Sequence, residues 1–301
     1  MHTQASPAKG SQADTILEAI LRAERLLKES GATDTPRLDA EVLLADLLGI
    51  SRSKLIALYP NRLSRDSRDS FFSRVERRTR SEPVAYIIGR KEFMDYTFRV
   101  DRRALIPRPE TETLVEHAVE LTQRNKFKHP RILDVGTGSG CIAVSLALLL
   151  PNAEIHAIDV SEPALELARE NAQSHHVEKR ITFHLGHAYS ELPESLKNSF
   201  NLIVANPPYV PDGTYPALPK VIREYEPASA LLGGPDGLDV ARAIAAGAPC
   251  FLAPAGILVL EIGEDQASKA AEILHANRLE VEEVVRDLAG RQRVITGRKK
   301  T

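Results

Sequence analysis

Residues 131–140 read RILDVGTGSG, an apolar strand pattern that runs directly into a glycine-rich turn. Residues 141–150 continue as an apolar stretch of helical length, so the segment predicts a strand, a turn and a helix in succession. Glycines allow the turn to bend tightly and bring its backbone close to a ligand at the helix N-terminus. The segment therefore predicts an α/β fold with a ligand site at this turn.

The glycines of this turn are spaced G-x-G-x-G, and Cys141 and Ile142 follow where the dinucleotide fingerprint has a further glycine. The next predicted strand, residues 154–158, ends at Asp159, whose carboxylate can accept hydrogen bonds from both ribose hydroxyls of an adenosine. An adenosine-containing cofactor is therefore expected here. The predicted cofactor-binding residues of these two segments are Gly136, Thr137, Gly138, Ser139, Gly140 and Asp159.

Residues 206–209 read NPPY and follow the apolar run 202–205, which predicts another buried strand. The two prolines fix φ and remove two N–H donors, so the backbone is stiff and its carbonyls only accept. The Asn206 side-chain oxygen and the Pro207 carbonyl can each accept one N–H of a planar NH2 group, and the Tyr209 ring can stack on its plane. By itself the segment is more typical of a plain proline-rich turn after a strand; its position after the glycine turn favours an amine or amide clamp.

The rest of the sheet follows from period-2 and apolar patterns further along the chain. The remaining predicted strands are residues 181–185, 257–262, 279–285 and 292–296, which brings the total to seven. Residues 230–238 are glycine-rich and precede a predicted helix, so they either rim the site or form a plain connection. The β-α-β-α-β-β order, with the glycine turn after the first strand and the clamp after the fourth, is typical of a class I methyltransferase with a Rossmann-like seven-stranded sheet.

Residues 14–83 show helical periodicity and no strand pattern, which predicts a small helical bundle. Residues 84–100 are β-prone around a Gly-Arg-Lys and predict a β-hairpin. Two prolines hold residues 105–112 extended, so Arg108 is either presented for pairing with a carboxylate or carbonyl or is an ordinary surface arginine of a linker. Thr111 is predicted to cap the next helix. The predicted domains are a disordered tail (1–13), the helical bundle (14–83), a β-hairpin and linker (84–109) and the methyltransferase domain (110–301).

The formal net charge of −2 over 301 residues gives no global reason to expect nucleic-acid binding. The charge is uneven, because residues 52–80 hold nine basic and three acidic residues. This basic segment is either a solvated helix face or a docking surface for an acidic or RNA-associated partner.

The sequence argues against a secreted or membrane protein, a zinc protein and a serine hydrolase. The chain has no apolar leader and no run long enough to cross a bilayer, and its two cysteines, both in apolar surroundings, suggest buried, reduced thiols in a cytoplasmic protein. Four histidines between residues 175 and 187 lack the paired spacing of zinc ligands, so no metal is expected. Ser139 and Ser145 lack a G-x-S-x-G elbow, which argues against a hydrolase.

The order of five motifs adds a specific resemblance. IPRPETE, DVGTGSG, NPPY, EP-x-x-ALLGG-x-DGL and RDLAG-x-x-RV occur in that order between about residues 83 and 298. This arrangement resembles the peptide chain release factor N(5)-glutamine methyltransferases, the PrmC/HemK family, and the helical N-terminal part fits as well. One position departs from the pattern: many relatives have an acidic residue where His187 stands.

The resemblance implies methyl transfer from S-adenosyl-L-methionine, with S-adenosyl-L-homocysteine as product, to the glutamine amide of the Gly-Gly-Gln motif in bacterial release factors 1 and 2, which modulates translation termination. It implies that the helical domain recognises the release factor and that Ala188, by position, binds the cofactor together with Asn206. The implied catalytic residues are Asn206, Pro207 and Tyr209, and the implied substrate-binding residues are Arg108, Asn206, Pro207, Pro208 and Tyr209.

The alternatives come from other function classes. An N(6)-adenine or N(2)-guanine nucleic-acid methyltransferase would share the clamp, but the C-terminal part contains no basic target-recognition region. A non-catalytic binding module and a dehydrogenase also remain open; retention of S-adenosylmethionine by the purified protein would separate them from a methyltransferase.

Overall fold

The computed structural model describes residues 14–300; the predicted disordered tail, residues 1–13, and Thr301 lie outside the described residues. The chain divides into two compact units between Ile88 and Gly89. The first unit is helical, and the second contains all the strands assigned in the described part of the chain.

The first unit consists of α1 (Ile16–Ser30), α2 (Pro36–Leu47), α3 (Arg52–Ala57), α4 (Arg65–Thr79) and α5 (Val84–Ile88). Local capping explains the boundaries: Thr15 and Glu18 form a capping box on α1, and Gly31, at φ 63°, ends that helix. Ser51 and Ser64 cap α3 and α4 through their side-chain oxygens. The helices bury one apolar core.

The predicted hairpin over residues 84–100 is only partly right. Residues 84–88 form helix α5, and the hairpin itself is β1 (Arg90–Phe93) paired with β2 (Tyr96–Arg99). The Pro83 carbonyl accepts hydrogen bonds from the amides of Tyr86 and Ile87, which starts the helix. Ile87 then packs in the core of the helical unit, and this burial outweighs the β-propensity of the segment.

The arginines in the C-terminal half of α4 are paired within the helical unit. Arg78 is 6% exposed and donates to Asp39 at 2.7 Å and to the Glu82 carbonyl at 3.2 Å. The other pairs are Arg74 with Asp46, Arg77 with Glu82, and Arg80 with Glu76. Much of the basic charge in this segment is therefore balanced internally.

The second unit is built on a seven-stranded sheet in the order β5-β4-β3-β6-β7-β9-β8. Its strands are β3 (Arg131–Val135), β4 (Glu154–Asp159), β5 (Ile181–Leu185), β6 (Phe200–Ala205), β7 (Leu252–Glu261), β8 (Leu279–Arg286) and β9 (Gln292–Lys299). The five strands from β5 to β7 in this order are parallel, and β9 runs antiparallel to both β7 and β8. The predicted Rossmann-like seven-stranded sheet is confirmed.

Helices cover both faces of the sheet, as its two apolar faces require. They are α6 (Pro109–Arg124), α7 (Cys141–Leu149), α8 (Glu162–Ser174), α9 (Lys220–Arg223), α10 (Asp239–Phe251) and α11 (Ala267–Ala276). One core contains residues of α6 and α7, and the other contains residues of α10 and α11. The strand order reverses direction between β3 and β6, and such a switch point opens a crevice at the carboxyl ends of the strands.

Two cysteines occupy different environments. Cys141 is buried at the start of α7, whereas Cys250 is exposed, so the expectation that both are buried is wrong for Cys250. In α10 the buried side includes Ala248 and Phe251, and Cys250 falls on the outer face between them.

No helix among residues 14–300 is long and apolar enough to cross a membrane.

Removing the Arg78 side chain should destabilise the helical unit strongly. We expect Arg78→Ala to cost about 3–5 kcal/mol of unfolding free energy, because the Asp39 carboxylate would stay buried without its partner. The matched control is Arg80→Ala, since Arg80 and Glu76 form an exposed pair worth about 0–1 kcal/mol. Urea titrations followed by circular dichroism measure both; equal losses in the two variants would contradict the buried ion pair.

Candidate active site

A cavity of about 240 Å³ opens at the carboxyl ends of β3, β4 and β6. Its walls come from the glycine turn after β3, the end of β4, the segment after β5 and the NPPY segment after β6. The lining includes most of the predicted cofactor-binding residues: Gly136, Thr137, Gly138, Ser139, Asp159, Ala188 and Asn206. The sheet topology thus brings together residues that are up to 70 positions apart in sequence.

Gly140, the remaining predicted cofactor residue, lies behind this wall. Its φ is +80°, and a Cβ there would lie 2.9 Å from the Ala168 Cβ of α8. The glycine therefore allows close packing of the turn against α8 and adopts a left-handed backbone. This structure assigns it a packing contact and leaves ligand contact to the neighbouring residues of the turn.

The turn is fixed by two carboxylates. The Thr137 hydroxyl donates to Asp134 Oδ2 at 2.7 Å, and the Gly138 amide donates to Asp159 Oδ2 at 2.8 Å. Asp134 is fully buried at the end of β3, and burial raises its pKa to about 7. The turn is therefore held in place before any ligand binds.

Asp159 has the geometry of a ribose-binding residue. Its second oxygen, Oδ1, accepts from the Ser161 amide at 2.9 Å, so backbone amides hold both carboxylate oxygens. Each oxygen retains a second acceptor position, and the residue lines the cavity. The two acceptor oxygens thus fit a vicinal diol, as expected for an adenosine-containing cofactor. His187 and Ala188 line the same cavity, and the His187 side chain is exposed.

A second cavity of about 190 Å³ lies on the other side of the NPPY segment. Asn206 and Pro207 line both cavities, whereas Pro208 lines only the first and Tyr209 only the second. Apolar side chains form most of the second cavity: Leu105, Val210, Leu218, Ile222 and Leu231. The two acceptor residues of the predicted clamp therefore stand between two pockets.

The prediction that Thr111 caps α6 is wrong. The helix begins at Pro109, three residues earlier than a cap at Thr111 would place it, with Arg108 as the N-cap residue, because proline suits the first helical turn. Thr111 is 2% exposed inside α6, and its Oγ1 accepts a hydrogen bond from Asn206 Nδ2 at 3.0 Å. With its nitrogen bound to Thr111, the Asn206 carboxamide has an oxygen that makes no hydrogen bond within residues 14–300 and can accept one from another partner.

Arg108 has a carboxylate partner from its own chain. Its Nη2 donates to Glu226 Oε1 at 2.7 Å, and Glu226 Oε2 accepts from the Ile106 amide at 3.1 Å. Glu226 is 5% exposed, so it anchors the proline strip from the inside. Sequence reasoning did not assign Glu226; its signal was its place in the EP-x-x-ALLGG motif. Arg108 itself lines both cavities.

The glycine-rich loop 230–238 rims the site and braces the NPPY segment. The Val210 amide donates to the Leu231 carbonyl at 2.9 Å, and the Gly233 amide donates back to Val210 at 3.0 Å. A Cβ at Gly233 would lie 2.5 Å from the Pro208 carbonyl oxygen, and one at Gly237 would lie 2.3 Å from that of Tyr209. Only glycine permits this backbone-to-backbone approach.

Two of the four histidines between residues 175 and 187 contact other residues of the second unit. His184 lies 2.9 Å from His156 between ring nitrogens, with the rings stacked, and His175 contacts the Thr97 carbonyl at 2.9 Å. Across residues 14–300, no group of three or more His, Cys, Asp or Glu side chains is arranged to hold a metal ion.

Comparison with known proteins gives the family. Residues 18–89 match the PrmC N-terminal domain family, and residues 126–285 match a methyltransferase domain family. A release factor glutamine methyltransferase of Nitratidesulfovibrio vulgaris is 40% identical over 297 residues, which cover 98% of each chain. This chain belongs to the release factor glutamine methyltransferase family. A relative of the same name from Chlorobaculum tepidum is 41% identical, over 83% of this chain and 86% of its own.

Membership makes this chain a class I methyltransferase that uses a methyl donor of the S-adenosylmethionine type. Among solved structures, the release factor-specific protein-(glutamine-N5) methyltransferase of Alicyclobacillus acidocaldarius is 32% identical, over 68% of this chain and 100% of that one, with a TM-score of 0.40. The family assignment depends on the sequence relatives.

A side chain at Gly237 should damage the enzyme. Gly237→Ala places a methyl group against the Tyr209 carbonyl at a φ of +78°, so we expect a loss of about 1–3 kcal/mol in stability and a fall in methylation. Gly213→Ala is the matched control, because a Cβ there meets no atom within 4 Å. Thermal denaturation and methyltransferase assays measure both; unchanged activity in Gly237→Ala would contradict the brace.

Proposed function

We propose that this methyltransferase transfers a methyl group from S-adenosyl-L-methionine to the side-chain amide nitrogen of the glutamine in the Gly-Gly-Gln motif of bacterial release factors 1 and 2. The observation that carries the proposal is the position of Asn206 and Pro207 between two adjoining cavities. The names and identities of the relatives support the same substrate.

In this proposal the first cavity holds the cofactor. Asp159 would accept hydrogen bonds from the ribose hydroxyls, and the backbone of residues 136–139 would hold the cofactor against the glycine turn. Ala188, which lines the same cavity next to His187, would also contact the cofactor. When bound, the cofactor supplies a methyl group on a sulfonium, whose positive charge is lost on transfer. No acid is then required at the leaving group.

The second cavity admits the glutamine side chain. Its amide nitrogen is a poor nucleophile because the lone pair is delocalised into the carbonyl. The enzyme must therefore hold that nitrogen about 3–3.5 Å from the methyl carbon, with the lone pair aimed along the transfer axis. Asn206 Oδ1 and the Pro207 carbonyl each accept one amide N–H, and they stabilise the positive charge that develops on nitrogen. After transfer the methylated nitrogen carries a positive charge, and it loses one N–H proton to solvent water, which restores the neutral amide.

Tyr209 and Pro208 complete the substrate site in this proposal. Tyr209 lines the second cavity, and burial raises the pKa of its phenol, which keeps the ring neutral at physiological pH. A neutral aromatic face confines the plane of the amide. Arg108, held by Glu226, contributes a fixed guanidinium at the rim where both cavities meet.

Substitutions in the clamp and in the cofactor site should have different effects on kcat and on cofactor affinity. We expect Asn206→Ala to lower kcat about 100-fold or more, because one acceptor of the transition-state charge is lost, while cofactor binding weakens far less. Asp159→Ala should instead weaken cofactor binding, by about 1.5–3 kcal/mol per charge-assisted hydrogen bond lost. Assays with tritiated methyl donor and calorimetry measure the two effects; the reverse pattern would remove these residues from their proposed roles.

The substrate is tested in the same assay. Wild-type enzyme should label whole release factor and fail to label a release factor in which the Gly-Gly-Gln glutamine is changed to alanine. Label in both proteins would place the methyl group on another residue. Label in nucleic acid instead of protein would identify an adenine or guanine methyltransferase.

We further propose that residues 14–83 recognise the release factor. The support is the separation of features along the chain: the cavity lining starts at Arg103, whereas the basic segment lies at residues 52–80. Arg74, Arg77 and Arg78 are engaged in ion pairs within the helical unit, so reversing them would test stability as much as docking. Lys54 and Arg65 are exposed and suit the test better, since the one ion pair of Arg65, with Asp69 at 3.9 Å, is itself exposed.

Charge reversal at the exposed positions should impair docking. We expect Lys54→Glu with Arg65→Glu to raise KM for release factor severalfold at low salt while kcat changes less, and added salt should shrink the difference because screening acts over about 8–10 Å. Lys179→Glu, at an exposed lysine of the second unit before β5, is the control. A KM within twofold of wild type would favour a merely solvated helix face.

A further inference from the structure

The boundary between the two cavities carries a positive charge. Five residues line both cavities, and Arg108 is the charged one among them: Leu105, Arg108, Asn206, Pro207 and Ala230. In the proposed function the methyl group crosses this boundary from a sulfonium to a nitrogen. The nitrogen lone pair forms the new N–C bond, the C–S electron pair stays on sulfur, and the positive charge passes from sulfur to nitrogen. An uncompensated guanidinium at the boundary would repel that charge throughout.

Glu226 lies beside this guanidinium. Arg108 Nη2 donates to Glu226 Oε1 at 2.7 Å, and the Ile106 amide donates to Glu226 Oε2 at 3.1 Å. The Glu226 side chain is 1% exposed, whereas that of Arg108 is 27% exposed. Among residues 14–300, Glu226 is the one carboxylate that forms an ion pair with Arg108. Because the acidic side of the pair is buried, its charge is screened less than that of a surface carboxylate.

The other arginine that lines the first cavity is paired in the same way. Arg103 Nη2 lies 2.8 Å from Asp101 Oδ2, and Arg103 Nη1 lies 2.8 Å from Glu170 Oε1. Both arginines of this cavity therefore have a carboxylate partner, which suits a cavity for a cationic cofactor. Arg108 differs in lining the second cavity as well, so its partner acts where the methyl group is transferred.

Glu261 is a second buried carboxyl group close enough for its charge to interact with Arg108. Burial raises the pKa of Glu261 to about 7, although Arg108 lowers it. At neutral pH Glu261 is therefore only partly ionised, and it compensates the guanidinium incompletely. Glu226, by contrast, has an N–H donor on each of its two oxygens.

We propose that Glu226 is a positioning residue that acts through Arg108: its negative charge neutralises the guanidinium at the boundary of the two cavities. Arg108 can then offer its remaining N–H groups to the substrate without opposing the sulfonium of the cofactor. This inference rests on the proposed S-adenosyl-L-methionine site and does not depend on which molecule is methylated.

Two ligands that differ by one charge test the inference. S-adenosylmethionine carries a sulfonium and S-adenosylhomocysteine a neutral sulfur, so the ratio of the first Kd to the second reports the charge at the site. Glu226→Gln keeps the shape and an acceptor for the Ile106 amide but leaves Arg108 uncompensated. The ratio should then rise about tenfold, as expected for one like charge at roughly 12 Å and an effective dielectric constant of about 20. Calorimetry on the full chain measures both Kd values.

Two further variants are controls. Adding Arg108→Gln to Glu226→Gln removes both charges, so the ratio should return to within twofold of wild type. Glu282→Gln removes the carboxylate partner of Arg298 on β8, outside both cavity linings, and should leave the ratio unchanged. Both ligands are measured on the same variant, so a general weakening of the site cancels in the ratio.

The outcomes separate this inference from the proposed function. An unchanged ratio in Glu226→Gln, with both ligands bound as in wild type or weakened equally, would overturn the inference and leave Glu226 as an anchor of the proline strip. A wild-type protein that binds neither ligand would reject the proposed cofactor site together with the inference. A tenfold rise in an enzyme that does not label release factor would support the inference and reject the proposed substrate.

Discussion

The parallel pairing of β6 with β3 on one side and β7 on the other is the arrangement on which the site depends. Backbone hydrogen bonds fix the register of these strands, so the carboxyl ends of all three meet at one edge. The glycine turn, the NPPY segment and Glu261 each follow or end one of these strands. A shift of one residue in β6 would turn Asn206 to the opposite face of the sheet.

Several buried carboxyl groups lie at that edge, although burying a carboxyl group costs stability. Asp134 and Glu261 are both wholly buried, and burial raises the pKa of each to about 7. Glu226 is buried too, but it has the Arg108 guanidinium and the Ile106 amide as partners. The NPPY backbone lacks two N–H groups, so the glycine loop and Gln266, which donates to the Tyr209 carbonyl at 3.1 Å, brace it through its carbonyls.

Long-range contacts decided the points on which sequence interpretation was wrong. Residues 84–88 have β-prone side chains, yet burial in the helical core makes them a helix. Thr111 is a residue type that often caps helices, yet the helix starts earlier, at Pro109. The Thr111 hydroxyl is therefore available to bind Asn206. The pattern of residues 52–80 suggests a charged, solvated helix face, whereas the Arg78 side chain is buried and donates to Asp39. In each case the observed structure depends on burial or on a partner that is distant in sequence.

The sequence by itself determined the seven-stranded sheet, the glycine turn, Asp159 and the NPPY segment, because each is specified by neighbouring residues: apolar period, glycine freedom and proline stiffness act over a few positions. Only the tertiary structure decided which partners hold them. Glu226 lies 118 positions from Arg108, and Asn206 lies 95 positions from Thr111. No local pattern encodes such pairs, because they form only when strand register and helix packing bring distant side chains within hydrogen-bonding distance.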